Sequence, residues 1–251
     1  MHGRRGRLGR RLPGVAPCRV RQRRPPRRGR STTERTVGTV NTDPGRALAA
    51  ATPAAIADAL DHLGLPGVLA PGLRSHVAAR IAGPAVTVVY ERATERRQPE
   101  HTFEAVDTAA PGSVLVLAAG GDTGIAFWGG TLTAAAVHRG LAGAVVDGAV
   151  RDTDEIAGHG FPAFARGVAL RGPAGRFRSV ALNVPVMCAG VTVHPGDFVV
   201  AGPDGVLAVP GGHADEVARV AAEFDERDRL LTENLLATGS LRAATRTVSL
   251  F

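Results

Sequence analysis

The spacing of apolar residues divides the chain between Thr52 and Leu236 into an alternation of short strands and helices. Thr52-Pro53 supplies a capping hydroxyl followed by proline at the first helical position, and Ile56, Leu60 and Leu63 share one face up to Gly64. A helix is expected there. Ile81, Ala85, Val86, Val88 and Val89 mark a strand within 80–90, followed by a polar loop from Glu91 to Glu100. Thr102 to Ala109 reads as a short helix closed by Pro111-Gly112. Ser113 to Ala118 is apolar without alternation, the pattern of a strand covered on both faces, and leads into Gly120-Gly121-Asp122. Gly129-Gly130 opens a helix that extends to Gly140, a short strand spans Ala144 to Val146, and another helix begins near Asp154.

Pro162 to Leu170 reads as a further strand, and Ser179 to Val184 and Val191 to Thr192 add β character. Two turn signals, His194-Pro195-Gly196-Asp197 and Gly202-Pro203-Asp204-Gly205, flank Phe198 to Val200. Val206 to Val209 is the natural hairpin partner of that segment. Val217, Val220, Ala221, Phe224 and Leu231 place a long amphipathic helix over Ala214 to Leu236. With no repeat and no linker in this span, the pattern predicts one layered α/β domain over residues 43–251.

Composition changes the picture at the N-terminus. Residues 1–40 hold 13 Arg and one Glu, whereas residues 41–251 hold 17 Arg and 22 acidic residues. The net charge of +7 therefore belongs to the tail, and the remainder is mildly acidic. Residues 1–42 are too poor in large apolar side chains to offset the entropy of ordering, so a disordered Arg-rich tail is expected. Its arginines suit phosphate neutralisation, but no aromatic residue interleaves to stack bases. A transit peptide is a second reading, without good amphipathic periodicity. The preferred reading is an upstream extension outside the functional protein, and nucleic acid is not expected as a partner. Cys18 and Cys188 have no CxxC company and make no disulfide framework, so a reducing cytoplasm is expected. No apolar run approaches the roughly 18 residues of a membrane span.

The candidate chemistry lies between Gly129 and Glu155. A glycine pair at a helix start lets backbone amides approach an anion at the helix's positive end. Arg151-Asp152 follows the strand at Ala144 to Val146 at its carboxyl end, where open α/β sheets place ligands. A guanidinium can hold a carboxylate or polarise a carbonyl, and a carboxylate is a hard ligand for a magnesium-like ion. A surface ion pair with Asp152 capping the next helix fits the same residues. Asp147 reads as structural in preference to a partner of Arg151. His138, His159 and His194 lack mutual metal-ligand spacing and read as surface residues, and Cys188 beside Met187 reads as core. Gly120, Gly121 and Gly124 lack the order of a nucleotide-binding loop, and no serine has nucleophile-elbow context.

Gly130, twenty intervening residues, Arg151-Asp152, two further residues and Glu155 resemble the signature of the RraA-like family. In particular they resemble class II 4-hydroxy-4-methyl-2-oxoglutarate aldolases, which also decarboxylate oxaloacetate. Pro111 to Val116, Pro195-Gly196-Asp197 and Asp204-Gly205-Val206 extend the likeness over Thr52 to Leu236. The resemblance implies a swivelling phosphohistidine-domain-like α/β fold and a metal-dependent lyase. It implies that Gly129, Gly130, Thr131 and Leu132 hold the substrate carboxylate, Arg151 contacts the keto oxygen, and Asp152 binds Mg2+ or Mn2+ through a water-rich shell. It also implies a homotrimer or a dimer of trimers, with a glutamate from a neighbouring C-terminal helix near the site. Glu223, Glu226 and Glu233 are the candidates for that glutamate. Trp128 and Thr131 depart from the usual family residues and bear on the substrate's identity. Since the chain has no lysine, a lysine Schiff-base aldolase is excluded from the sequence alone. Some relatives of this kind bind and inhibit a ribonuclease, which stands as the alternative function.

Overall fold

Four mutually parallel strands, β2 (Ile81–Arg92), β3 (Val114–Trp128), β4 (Gly143–Val150) and β5 (Ala163–Val168), form the centre of the fold in spatial order β5-β4-β3-β2. A computed structural model describes residues 43–246 and 248; the expected tail of residues 1–42 lies outside them. Helices α3 (Glu100–Thr108), α4 (Gly130–His138) and α5 (Thr153–Gly158) connect these strands in turn. The strand–helix alternation of the sequence is thus a run of parallel crossovers.

Strand β2 is long enough to serve two antiparallel partners. Its first residues, Ile81 to Pro84, pair with β9 (Phe198–Gly202), and Val88 to Arg92 pair with β6 (Phe177–Leu182). Strand β10 (Gly205–Val209) completes the hairpin with β9, and β1 (Arg74–Ser75) lies against β5. Strands β7 (Val186–Cys188) and β8 (Val191–Val193) form a separate two-stranded sheet.

The uninterrupted apolar run at 113–118 is explained by cores on both faces of β3. Leu115 and Leu117 point into a cluster with Ala105, Val106, Ala136 and Ile156 of the crossover helices. Val114 and Val116 point the other way, among Val145, Val186, Val193, Val199 and Val206. A third cluster packs α1 (Pro44–Ala50), α2 (Pro53–His62) and the start of α6 (Ala214–Thr238) on Val200, Leu207 and Val209. The Asp225 carboxylate accepts hydrogen bonds from the Thr52 amide (2.9 Å) and hydroxyl (2.6 Å), fastening α6 to the start of α2. A short helix, α7 (Leu241–Ala244), ends the described fold. No described helix is long and apolar enough to cross a membrane.

Three local expectations change. Helix α1 is not anticipated, although Asp43-Pro44 repeats the cap-then-proline arrangement of Thr52-Pro53. Strand β4 runs on to Val150, with all eight residues buried. Strand β3 does not end before Gly120-Gly121-Asp122 but continues through them to Trp128. Both glycines take positive φ (66° and 78°), and pairing with β4 shifts register three times between Leu117 and Trp128. These irregularities absorb the excess of a 15-residue strand over its eight-residue neighbour. Trp128 and Val150 consequently end side by side, and the residues that follow them share one edge of the sheet.

Candidate active site

The turn after β3 and the turn after β4 meet through backbone and side chain. The Arg151 amide donates to the Trp128 carbonyl at 3.0 Å. Asp152 adopts φ 56°, ψ 42°, a left-handed conformation that costs a non-glycine residue about 1–2 kcal/mol and that Asp tolerates better than most. The conformation removes the helix cap from the plainer reading of this residue and leaves its ion pair with Arg151 in place. Asp152 sits at the N-cap of α5 but makes no side-chain cap hydrogen bond there. Its Oδ2 instead accepts from the Gly130 amide at 3.1 Å, while Arg151 Nε lies 3.5 Å from the same oxygen. The carboxylate is aimed at the start of α4, not at its own helix.

The glycine pair is required by this close approach. Gly129 has φ −167°, which any residue can adopt, so its backbone angle is not the reason. A Cβ at Gly129 would lie 2.7 Å from Asp152 Oδ2 and 3.1 Å from Arg151 Cγ. A Cβ at Gly130 would overlap the Glu155 carboxylate, with Glu155 Cδ at 2.7 Å. The spacing of the sequence motif is thereby given a physical meaning: Arg151, Asp152 and Glu155 all close upon a turn that has no side chains. The turn is held from behind. Thr133 Oγ1 donates to the Gly129 carbonyl (3.0 Å) and accepts from Trp128 Nε1 (2.8 Å). Trp128 is buried and stacks on Phe161 with ring centroids 5.7 Å apart. Thr131 and Leu132 lie in the first turn of α4, where amides have no intrahelical acceptor.

Gly129, Thr131, Leu132, Arg151 and Asp152 line one cavity of about 460 Å³. Gly130 stands behind it as the donor to Asp152. All six candidate residues are therefore brought together. The sequence reading missed the opposite wall. Arg96, Arg97 and Arg176 also line the cavity, from the loop after β2 and from the segment before β6. The Arg96-Arg97 doublet is their one sequence signal, and it reads as an ordinary polar loop. A larger depression of about 700 Å³ shares Arg176 and holds the Arg92–Asp122 ion pair (2.8 Å), but it contains none of the motif residues.

The remaining candidates fall outside the site. Asp147 is buried, bonds to Arg166 Nε at 2.5 Å and accepts from the Ala189 amide at 3.1 Å, so it is structural. Cys188 is buried, and its thiol is pushed up to about 12, chiefly by burial and further by the Asp147 charge, with Arg166 opposing. Its thiol is protonated at neutral pH and packed in the core, whereas Met187 is exposed. His138, His159 and His194 are exposed. Glu223 pairs with Arg219, Glu226 and Glu233 bracket Arg229, and none of the three lines the cavity of its own chain.

The sequence model of one family, RraA-like (Aldolase/RraA), matches residues 53–208, which contain every motif residue of the site. The chain belongs to the RraA-like family. A Halalkalibacterium halodurans protein provisionally named 4-hydroxy-4-methyl-2-oxoglutarate aldolase is 34% identical over 188 residues, 72% of this chain and 85% of that protein. Among solved structures, an uncharacterized protein from Pseudomonas syringae pv. tomato is similar with a TM-score of 0.74 and 31% identity, over 81% of this chain and 93% of that one. Streptomyces coelicolor RraAS2, described as an unusual member of the RNase ES inhibitor RraA family, is similar with a TM-score of 0.68 and 28% identity, over 74% of this chain and 93% of that one. The mixed α/β architecture is thus that of RraA-like proteins.

Proposed function

We propose that the protein is a divalent-metal-dependent lyase that cleaves 4-hydroxy-2-oxo acids of the 4-hydroxy-4-methyl-2-oxoglutarate type to pyruvate and decarboxylates oxaloacetate. The observation that carries this reading is the convergence of Arg151 and Asp152 on the side-chain-free turn at Gly129-Gly130 inside one cavity. Retro-aldol cleavage breaks the C3–C4 bond, the C4 hydroxyl passes its proton to water as it becomes a carbonyl, and the electron pair passes into a pyruvate enolate, which takes a proton back from water at C3 to give pyruvate. Decarboxylation of oxaloacetate leaves the same enolate, so one site that stabilises it serves both reactions.

The chain's own groups suit that task. Amides at the start of α4 would donate to the substrate carboxylate at the positive end of the helix. The Arg151 guanidinium is available to the keto oxygen as negative charge develops there. Asp152 fits a hard cation: Oδ2 is engaged by Gly130, Oδ1 has no partner among the described residues, and the side chain is 39% exposed. One carboxylate suffices for Mg2+ or Mn2+, since Mg2+ in particular retains much of its water shell. When bound, the metal supplies Lewis-acid stabilisation of the enolate oxygen. The reading includes a cytoplasmic homotrimer or dimer of trimers, in which Glu223, Glu226 or Glu233 of a neighbouring copy completes the cavity.

The test is pyruvate release, followed through lactate dehydrogenase, over 4-hydroxy-2-oxo acids and oxaloacetate. Activity is expected with Mg2+ or Mn2+ and is expected to vanish with chelator. Activity unchanged by chelation would overturn the metal-dependent reading. The similarity to Streptomyces coelicolor RraAS2 supports a second reading, a regulator that binds and inhibits a ribonuclease. Capture of a ribonuclease together with a flat pyruvate assay would favour it.

A further inference from the structure

We propose that Thr133 is a positioning residue, which sets the Asp152 carboxylate for the metal through the plane of the Gly129–Gly130 peptide. The inference rests on the lyase reading for the role of Asp152 and deepens it. Four groups are joined in one run of hydrogen bonds. Trp128 Nε1 donates to Thr133 Oγ1 at 2.8 Å, and Thr133 Oγ1 donates to the Gly129 carbonyl at 3.0 Å. The Thr133 amide reaches the same carbonyl at 3.0 Å. The Gly130 amide, on the other side of that peptide, donates to Asp152 Oδ2 at 3.1 Å. A trans peptide is planar, so its carbonyl and its N–H point in opposite directions and turn together. Whatever fixes the Gly129 carbonyl therefore aims the Gly130 N–H at Asp152.

A threonine hydroxyl bonded to the carbonyl four residues back is common in helices and by itself says little. Its surroundings set Thr133 apart. An indole N–H can only donate, so it takes a lone pair of the hydroxyl and leaves the hydroxyl proton for Gly129. Both side chains are buried, which shields the run from competing water. Every bond runs from donor to acceptor in the same sense, from the indole to the carboxylate, so each polarises the next. Trp128 is in turn held by its stacking on Phe161 and by its register with Val150. The Trp128 carbonyl accepts from the Arg151 amide at 3.0 Å, so one residue locates both members of the charged pair. The glycine pair makes this necessary, since neither residue carries a side chain that packing could hold.

The test uses the full chain and Mn2+ alone, titrated calorimetrically well below the melting temperature of each variant. Thr133→Val keeps the shape and removes the hydroxyl, and is expected to weaken Mn2+ binding about tenfold. Thr133→Ser restores the hydroxyl and is expected to bind Mn2+ within about twofold of wild type. Trp128 is the one tryptophan of the chain, so its emission reports the same bond. That emission is expected to shift to shorter wavelength in Thr133→Val, where the indole loses its acceptor, and to return in Thr133→Ser. A purely structural threonine would lower the melting temperature and leave Mn2+ affinity alone. Trp128→Phe keeps the ring stack and removes the N–H, and is expected to weaken binding about fivefold. It keeps the test available if Thr133→Val folds poorly. Mn2+ affinity within about twofold of wild type in Thr133→Val or Trp128→Phe, or no recovery in Thr133→Ser, would overturn the proposal. Failure of the lyase reading has a different signature: no pyruvate from any 4-hydroxy-2-oxo acid, with Mn2+ binding still following the hydroxyl.

Discussion

Replacing Asp152 with asparagine is expected to lower kcat/KM for pyruvate release by about a thousandfold or more, with the fold retained. Asparagine is the other residue that tolerates the left-handed backbone found at φ 56°. Its amide oxygen can still accept from the Gly130 amide, now 3.1 Å from Oδ2. The substitution therefore removes the negative charge and little else. If Asp152 is only half of a surface ion pair, the cost is a few tenths of a kcal/mol in stability and nothing in rate. If it holds the divalent cation, the ion goes with the charge. Thermal melting within a few degrees of wild type together with collapsed turnover is the expected pair of results. Normal turnover would remove Asp152 from the mechanism.

Gly129→Ala is expected to lower kcat/KM by about a hundredfold through displacement of the two charged groups that meet there. The backbone angle at 129 accepts alanine, so the effect is one of space. The added methyl would sit 2.7 Å from Asp152 Oδ2, 3.1 Å from Arg151 Cγ and 3.4 Å from Arg151 Nε. These are ends and stems of flexible side chains, which move aside and leave the fold standing. A shift approaching 1 Å in a group aimed at the reacting atoms is enough for a loss of this size. Measured beside Asp152→Asn, a loss below about threefold would show that the turn does not set the positions of Arg151 and Asp152.

The parallel core was legible because its code is local. Ser113 to Ala118 reads as a doubly covered strand, and Leu115 and Val116 do enter cores on opposite faces. The turn-flanked segments at Phe198 to Val200 and Val206 to Val209 do form a hairpin. Glycines misled where they serve a bulge: Gly120-Gly121 carry positive φ inside a strand, and the same residues signal a turn in sequence. Arg151 and Asp152 could be singled out, but not the backbone conformation that swings the carboxylate from α5 to α4. Arg96 and Arg97 were illegible for another reason. Their place at the cavity comes from contact between loops about 80 residues apart, joined through Ala93 and Arg176, and no local pattern records it.

The central claim is that this cavity stabilises a pyruvate enolate, and it can be measured without knowing the natural substrate. Pyruvate incubated with the protein and Mg2+ in deuterated water is expected to exchange its methyl protons, followed by proton NMR, far above the buffer rate. Chelation and Asp152→Asn are both expected to return exchange to that background. Exchange that never rises above background with the metal-loaded protein would contradict the account.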